Sequence, residues 1–73
     1  MKERILVVDD DRVLAEHLRA GLSREGYEVV AVNSGTLAVE AVKKAYFHVV
    51  IVDLMLPDIQ GIEVMRLVSK KYD

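Results

Sequence analysis

Two short apolar runs that each end in aspartate are the feature that most constrains this chain. Residues 5–8 lead directly into three consecutive aspartates at 9–11, and residues 49–52 lead into Asp53. Uninterrupted runs of branched apolar residues are typical of parallel strands that are buried on both faces. If these two strands are neighbours, their carboxylates meet at one edge of the sheet, where open α/β proteins bind ligands. We therefore expect an acidic cluster that binds a hard cation.

The composition limits what kind of protein this can be. The 73 residues are 52% hydrophobic and 30% charged, with a formal net charge of -2 and no cysteine. Such a length predicts one small domain, and the absence of cysteine excludes disulfides, zinc thiolate sites and thiol catalysis. The charge provides no basic stripe for nucleic acid, and the sequence has neither a signal-peptide core nor an apolar run of the ~20 residues that span a membrane. We expect a cytoplasmic domain that contacts neither nucleic acid nor membrane directly.

The periodicity of apolar residues predicts a β-α-β-α-β-α order. Strands are predicted over residues 4–9, 27–32 and 49–53, and helices over residues 12–25, from the turn at 33–35 to about 45, and from about 61 onward. Asp10 or Asp11 can cap the first helix, Gly26 can close it, and the turn at 33–35 supplies a cap for the second. Right-handed crossovers make such a sheet parallel, with helices on both faces.

Each predicted helix has an apolar stripe that we expect to face the sheet. The first stripe consists of Leu14, Leu18, Gly21 and Leu22, the second of Ala38, Val39, Val42 and Ala45, and the third of Ile62, Met65 and Val68. Apolar positions that recur three and four residues apart lie on one side of a helix.

The aspartates at the strand ends predict magnesium rather than zinc. Carboxylates that lie a few ångströms apart repel one another, and a bound cation relieves that repulsion. Mg²⁺ prefers oxygen ligands and uses one or two carboxylates together with phosphate oxygens, whereas zinc sites normally contain histidine or cysteine. The cluster therefore suggests phosphoryl chemistry.

Two segments resemble the receiver domains of two-component response regulators. They are ILVVDDD near the N-terminus and VVIVDLMLPDIQG, in which a proline and a glycine follow Asp53 by four and eight residues. The resemblance covers the whole chain, and it implies a three-layer α/β fold of the flavodoxin type. Residues 1–73 then correspond to the first three βα units of a receiver domain, with a parallel three-stranded sheet in the order 2-1-3.

The resemblance also implies a role for each matching residue. Asp53 is the expected phosphoacceptor, Asp10 a direct Mg²⁺ ligand, Asp9 a ligand directly or through water, and Met55 a ligand through its backbone carbonyl. The donor that the resemblance implies is a histidine kinase, and we expect the domain to accept a phosphoryl group rather than to act as an enzyme on other molecules. Asp11 is expected to be a helix cap or a surface residue and is left out of the site.

Two parts of the family's site have no counterpart in these 73 residues. Receiver domains carry a serine or threonine at the end of a fourth strand and a lysine at the end of a fifth, and both groups bind the phosphoryl oxygens. We therefore expect weakened metal binding, slow or absent phosphorylation and impaired switching, or else a chain that is a piece of a longer regulator. His48, where the family is commonly acidic, is expected to lie far from the acidic edge and to have no catalytic role.

An alternative is a self-associating module without phosphotransfer. The order 2-1-3 leaves the third strand at the edge of the sheet, and its sequence has no proline or lysine that would hinder pairing with another strand. Two copies could pair there about a two-fold axis, with antiparallel central strands.

Two other classes of protein fit the sequence less well. An aspartate-based phosphatase would need a second acid where Met55 stands, and a nucleotide or flavin binder would need a loop rich in glycine or hydroxyl residues after the first strand.

Overall fold

The chain forms three strands and three helices in strict alternation. In the computed structural model, the residues described are 2–53, 56, 58 and 61–72. The elements are β1 (Arg4–Val8), α1 (Arg12–Arg24), β2 (Glu28–Val32), α2 (Gly35–Lys44), β3 (Val49–Val52) and α3 (Gly61–Tyr72). The predicted order of elements is confirmed, and among the residues described no helix combines the length and the apolarity needed to cross a membrane.

The strands form one parallel sheet with β1 in the centre. The order is β2-β1-β3, as predicted. Val8, the last residue of β1, is paired with Val32 of β2 and with Val52 of β3. All three strands therefore end at the same level, and the residues that follow them emerge at one carboxyl edge.

The helices cover the two faces of the sheet unequally, which gives the three layers that the resemblance implied. On one face, α1 packs against β1 through a cluster of Ile5, Val7 and Ala15. On the other face, α2 and α3 enclose a larger cluster of Leu6, Val8, Ala38, Val42, Phe47 and Val64. Alternate residues of β1 point into the two clusters, so this strand is buried on both sides.

The buried face of α1 is rotated from the predicted one. Ala15 is buried, and Leu18 and Leu22 pack around it against the sheet, whereas Leu14 is 46% exposed. The prediction for Leu14 was therefore wrong. Residues of an α-helix are about 100° apart around its axis, so a face centred on Ala15, Leu18 and Leu22 places Leu14 at its margin.

The buried face of α3 also differs from the prediction. Val64 is fully buried and Val68 packs beside it, but Ile62 and Met65 are 66% and 49% exposed. The prediction was correct for Val68 and wrong for the other two. This helix has apolar residues at most positions from 62 to 68, so two stripes were available, and packing against α2 selects the one that contains Val64.

At the amino end of the sheet, His48 extends the pairing of β1 with β3. Its backbone N–H donates to the carbonyl of Arg4 at 2.8 Å, and its ring Nδ1 accepts from the Arg4 backbone N–H at 3.0 Å. A ring nitrogen that accepts a hydrogen bond carries no proton, so this contact corresponds to the tautomer protonated at Nε2. His48 thus lies at the opposite end of the strands from the acidic edge, as expected.

The β3 strand has one covered face and one open face. Val50 and Val52 pack against the larger cluster. Val49 and Ile51, on the other face, are 48% and 39% exposed. In the described part of the chain, β3 therefore borders the sheet with an apolar face accessible to solvent.

Candidate metal centre

Three carboxylates converge where β1 and β3 end. Asp9 and Asp10 directly follow β1, and Asp53 directly follows β3. Each residue places a carboxylate oxygen within 4.8 Å of the others. Asp9 and Asp53 are half-buried, and Asp10 is exposed. The structure therefore brings together the three aspartates that the sequence placed at one sheet edge.

Hydrogen bonds that continue the sheet beyond the strand ends hold two of these residues. The backbone N–H of Asp53 donates to the carbonyl of Val8 at 2.8 Å, and that of Asp9 donates to the carbonyl of Val32 at 3.1 Å. Asp9 Oδ1 also accepts from the backbone N–H of Asp11 at 2.9 Å. The backbones of Asp9 and Asp53 are thus fixed by the sheet, while Asp10 projects from the turn.

Asp11 caps α1 and takes no part in the cluster. Its Oδ1 accepts from the backbone N–H groups of Val13 and Leu14, both at 3.1 Å. Of the two residues that could have capped this helix, the structure thus selects Asp11. A carboxylate at this position satisfies first-turn donors and interacts favourably with the helix dipole.

The donor set fits a hard divalent cation. Two oxygens bound to one Mg²⁺ at about 2.1 Å lie at most about 4.2 Å apart, so carboxylates within 4.8 Å need only small side-chain rotations to share an ion. All three groups offer oxygen, and the chain contains no cysteine. Met55, whose carbonyl was predicted as a further ligand, lies outside the described residues, so that role stays a prediction.

A cleft of about 350 Å³ opens beside Asp9. Arg12, Glu16 and Asn33 are among its lining residues. When the Asn33 amide is oriented with its oxygen toward Arg12, that oxygen accepts from Nη2 at 3.0 Å and from Nε at 3.2 Å. The amide orientation is assigned from this hydrogen-bond network. The cleft is therefore lined by one residue of the acidic cluster, Asp9, together with Arg12, a feature that sequence reasoning missed.

Asp58 is a second residue that sequence reasoning missed. Its Oδ1 accepts from the backbone N–H of Gly35 at 2.9 Å, and its Oδ2 accepts from the backbone N–H of Thr36 at 2.9 Å and from the Thr36 hydroxyl at 2.5 Å. Thr36 and Gly35 precede Asp58 by 22 and 23 positions, so no local sequence pattern links them to it. Only its place shortly after Asp53 could have drawn attention to it.

The chain matches a family model described as the response regulator receiver domain, over residues 5–73. Among curated proteins, it is 46% identical over 67 residues to the DNA-binding response regulator MtrA of Mycobacterium leprae, covering 92% of this chain and 30% of that protein. The MtrA protein of Mycolicibacterium smegmatis is 45% identical over 67 residues, and the match covers 29% of its length. The chain thus spans about a third or less of these relatives.

Solved structures show the same fold. The response regulator TrrA of Thermotoga maritima, crystallised in complex with Mg(2+)-BeF, is 38% identical with a TM-score of 0.88, and the match covers 94% of this chain and 60% of that one. A CheY-like receiver domain protein of Methanospirillum hungatei is 30% identical with a TM-score of 0.95, covering 97% of this chain and 57% of the other. Because the family match extends over nearly all 73 residues, this chain belongs to the receiver domain family of two-component response regulators.

Proposed function

We propose that this chain is a phospho-accepting receiver module, in which Asp53 takes a phosphoryl group from the phosphohistidine of a histidine kinase. The observation that carries the proposal is the approach of Asp9, Asp10 and Asp53 to within 4.8 Å at the carboxyl edge of a receiver-type sheet. Asp53 is the expected acceptor because it occupies the family's acceptor position after β3. Asp9 and Asp10 then serve as the metal-holding pair.

The proposed transfer needs a nucleophile and relief from negative charge. An Asp53 carboxylate oxygen attacks phosphorus in line with the phosphorus–nitrogen bond, which breaks and leaves its electron pair on the imidazole nitrogen. The product is an acyl phosphate on Asp53. Mg²⁺, when bound, supplies charge shielding between the carboxylate and the phosphoryl oxygens. Its ligands would be Asp9, Asp10, Asp53 and, as the resemblance implies, the carbonyl of Met55.

The net charge of this chain argues against direct binding of nucleic acid. The MtrA relatives are described as DNA-binding, but this chain carries a net charge of -2 and aligns with only about 30% of the M. leprae protein. We assign to this segment the acceptor role in the cytoplasm, without direct contact to DNA or membrane.

Dependence on Mg²⁺ is the first test of this proposal. Isotope-labelled protein is treated with acetyl phosphate, or with beryllium fluoride as a phosphoryl mimic, and the resonances of Asp9, Asp10 and Asp53 are followed. With Mg²⁺ we expect shifts centred on these residues and slow modification of Asp53, because residues 1–73 do not include the hydroxyl and lysine that bind the phosphoryl oxygens in the family. With a chelator we expect labelling at least about tenfold slower still. Equal labelling with and without Mg²⁺, or no response in either case, contradicts the proposal.

A second candidate function is self-association through β3. The observation that favours it is the half-exposed apolar face of Val49 and Ile51 on a strand that borders the sheet. Edge strands with open hydrogen-bonding groups are templates for pairing, and an isologous pairing about a two-fold axis would be antiparallel.

Sedimentation of the full chain tests this second candidate. We expect a concentration-dependent dimer, and Ile51→Lys should shift it toward monomer because it places a charge on the apolar face. Val13→Lys is a matched control, since Val13 is 68% exposed and lies on α1, a helix that packs against β1 and β2. A well-folded monomer at all concentrations excludes self-association and leaves the phosphoacceptor proposal intact.

A further inference from the structure

The amino terminus of α2 is completed by a residue from outside the helix. This 10-residue helix has Ser34 as its N-cap, and the Ser34 hydroxyl oxygen accepts from the backbone N–H of Leu37 at 3.2 Å. The Ser34 carbonyl accepts from the N–H of Ala38 at 3.1 Å. The remaining two first-turn donors, on Gly35 and Thr36, bind the Asp58 carboxylate. Because free N–H groups at a helix start need partners, Asp58 caps two of the three N–H groups on residues 35–37, and Ser34 caps the third.

The same carboxylate holds the segment that follows the proposed acceptor. Asp58 lies five residues after Asp53. Between them, Leu56 packs against the large core cluster beneath α2 and α3. The segment after Asp53 therefore has two anchors among the described residues, one apolar and one charged. The charged anchor defines an orientation better than the apolar one does, because the Asp58 carboxylate accepts hydrogen bonds from two adjacent N–H groups.

These contacts close a ring around the acidic edge. Asp53 is bonded through its backbone to Val8, and Asp9 is bonded through its backbone to Val32. The chain continues from Val32 through the turn into α2, whose first residues bind Asp58. From Asp58 the chain returns to Asp53. Each link is a stretch of chain or a hydrogen bond, and the Asp58 side chain is the link that joins α2 to the chain after Asp53.

We propose that Asp58 is a positioning residue for the acceptor edge: by fixing the segment after Asp53 to the start of α2, it sets the geometry in which Asp53 shares a cation with Asp9 and Asp10. The metal part of this inference rests on the proposed function. Asp58 is not one of the three cluster residues, and we infer that it acts on Asp53 along the chain. Loss of its carboxylate opens the ring while the three cluster aspartates stay in the chain.

The test compares two variants that remove capping from the same helix. Asp58→Ala removes the acceptor for Gly35 and Thr36, whereas Ser34→Ala removes the cap on Leu37 and does not touch the acceptor segment. Mg²⁺ affinity is measured by isothermal titration. We expect Asp58→Ala to weaken it about tenfold, the lower end of the range for groups that orient metal ligands, and Ser34→Ala to leave it within about twofold. Asp58→Asn keeps one acceptor oxygen and should fall between the two.

A metal-free measurement separates this inference from the proposed function. Hydrogen exchange of the Asp53 amide, which is bonded to Val8, should accelerate in Asp58→Ala by more than in Ser34→Ala, after correction for global stability. If the unmodified chain binds no Mg²⁺, the proposed function fails, and the exchange measurement alone decides the role of Asp58. Unchanged Asp53 exchange in Asp58→Ala, or Mg²⁺ affinities equal in both variants, overturns the inference.

Discussion

Replacing Asp53 with asparagine is expected to abolish phosphorylation, lowering labelling by acetyl phosphate at least about a thousandfold, because an amide offers no nucleophilic carboxylate oxygen. The substitution preserves the shape of the side chain, and Asp53 is only half-buried, so the fold should be retained. Mass spectrometry of the intact protein and of its peptides measures the result. Circular dichroism confirms that the variant is folded.

The matched control is Asp11→Asn, which alters a neighbouring aspartate outside the cluster. Asp11 accepts from two first-turn N–H groups of α1, and asparagine is an equally good helix cap. We expect Asp11→Asn to be labelled at a rate close to that of the unmodified chain. Persistent labelling of Asp53→Asn would show that the acceptor is a different residue, and equal loss in both variants would show that the loss is not specific to Asp53.

Truncation of Leu6 is expected to have the largest effect on stability. Leu6 lies on the central strand, is fully buried and belongs to the cluster beneath α2 and α3. Leu6→Ala removes three carbon atoms and leaves a cavity, so the free energy of unfolding should fall by about 2 to 5 kcal/mol. A loss of this size is much or all of the unfolding free energy expected for so small a domain. Urea denaturation followed by circular dichroism gives the value.

Leu14→Ala makes the same chemical change at a half-exposed position and serves as its control. Leu14 is 46% exposed on α1, so its truncation should cost no more than about 1 kcal/mol, since less apolar surface is buried there and alanine favours helix. A loss as large as that of Leu6→Ala would mean that the buried face of α1 includes Leu14, as its spacing in the sequence predicted.

The parts of the fold that the sequence predicted are those encoded by uninterrupted or well-capped patterns. The apolar run before Asp9 forms a strand that is buried on both faces, so no choice of face had to be predicted. The run before Asp53 also forms a strand, although only Val50 and Val52 are covered. Gly26 ends α1 with a φ of 97°, a conformation that glycine adopts without strain, and Ser34 caps α2. The strand order predicted from the sequence already places Asp9, Asp10 and Asp53 at one edge of the sheet.

The parts that the sequence did not predict depend on contacts between distant segments. Along α3, apolar residues are dense enough to form two stripes, and only packing against α2 decides that Val64 is buried while Met65 is exposed. The Asp58 carboxylate bonds to Gly35 and Thr36 across more than 20 positions. Local periodicity carries no information about which face of α3 is buried or about which residues bind Asp58.

The central position of β1 also governs when the acidic cluster can exist during folding. Arg4 at the start of β1 is bonded to His48, 44 positions later, and the opposite end of the same pairing brings Asp9 to Asp53. Contacts between such distant residues require a long loop to close, and the chain loses that entropy before the stabilising contacts between the strands form. By contrast, α1 and α2 can form from local contacts. A chain that has its helices but has not paired β1 with β3 therefore lacks the acidic cluster. The cluster forms only when the sheet is complete, and the cation binding proposed for it would require the fully folded chain.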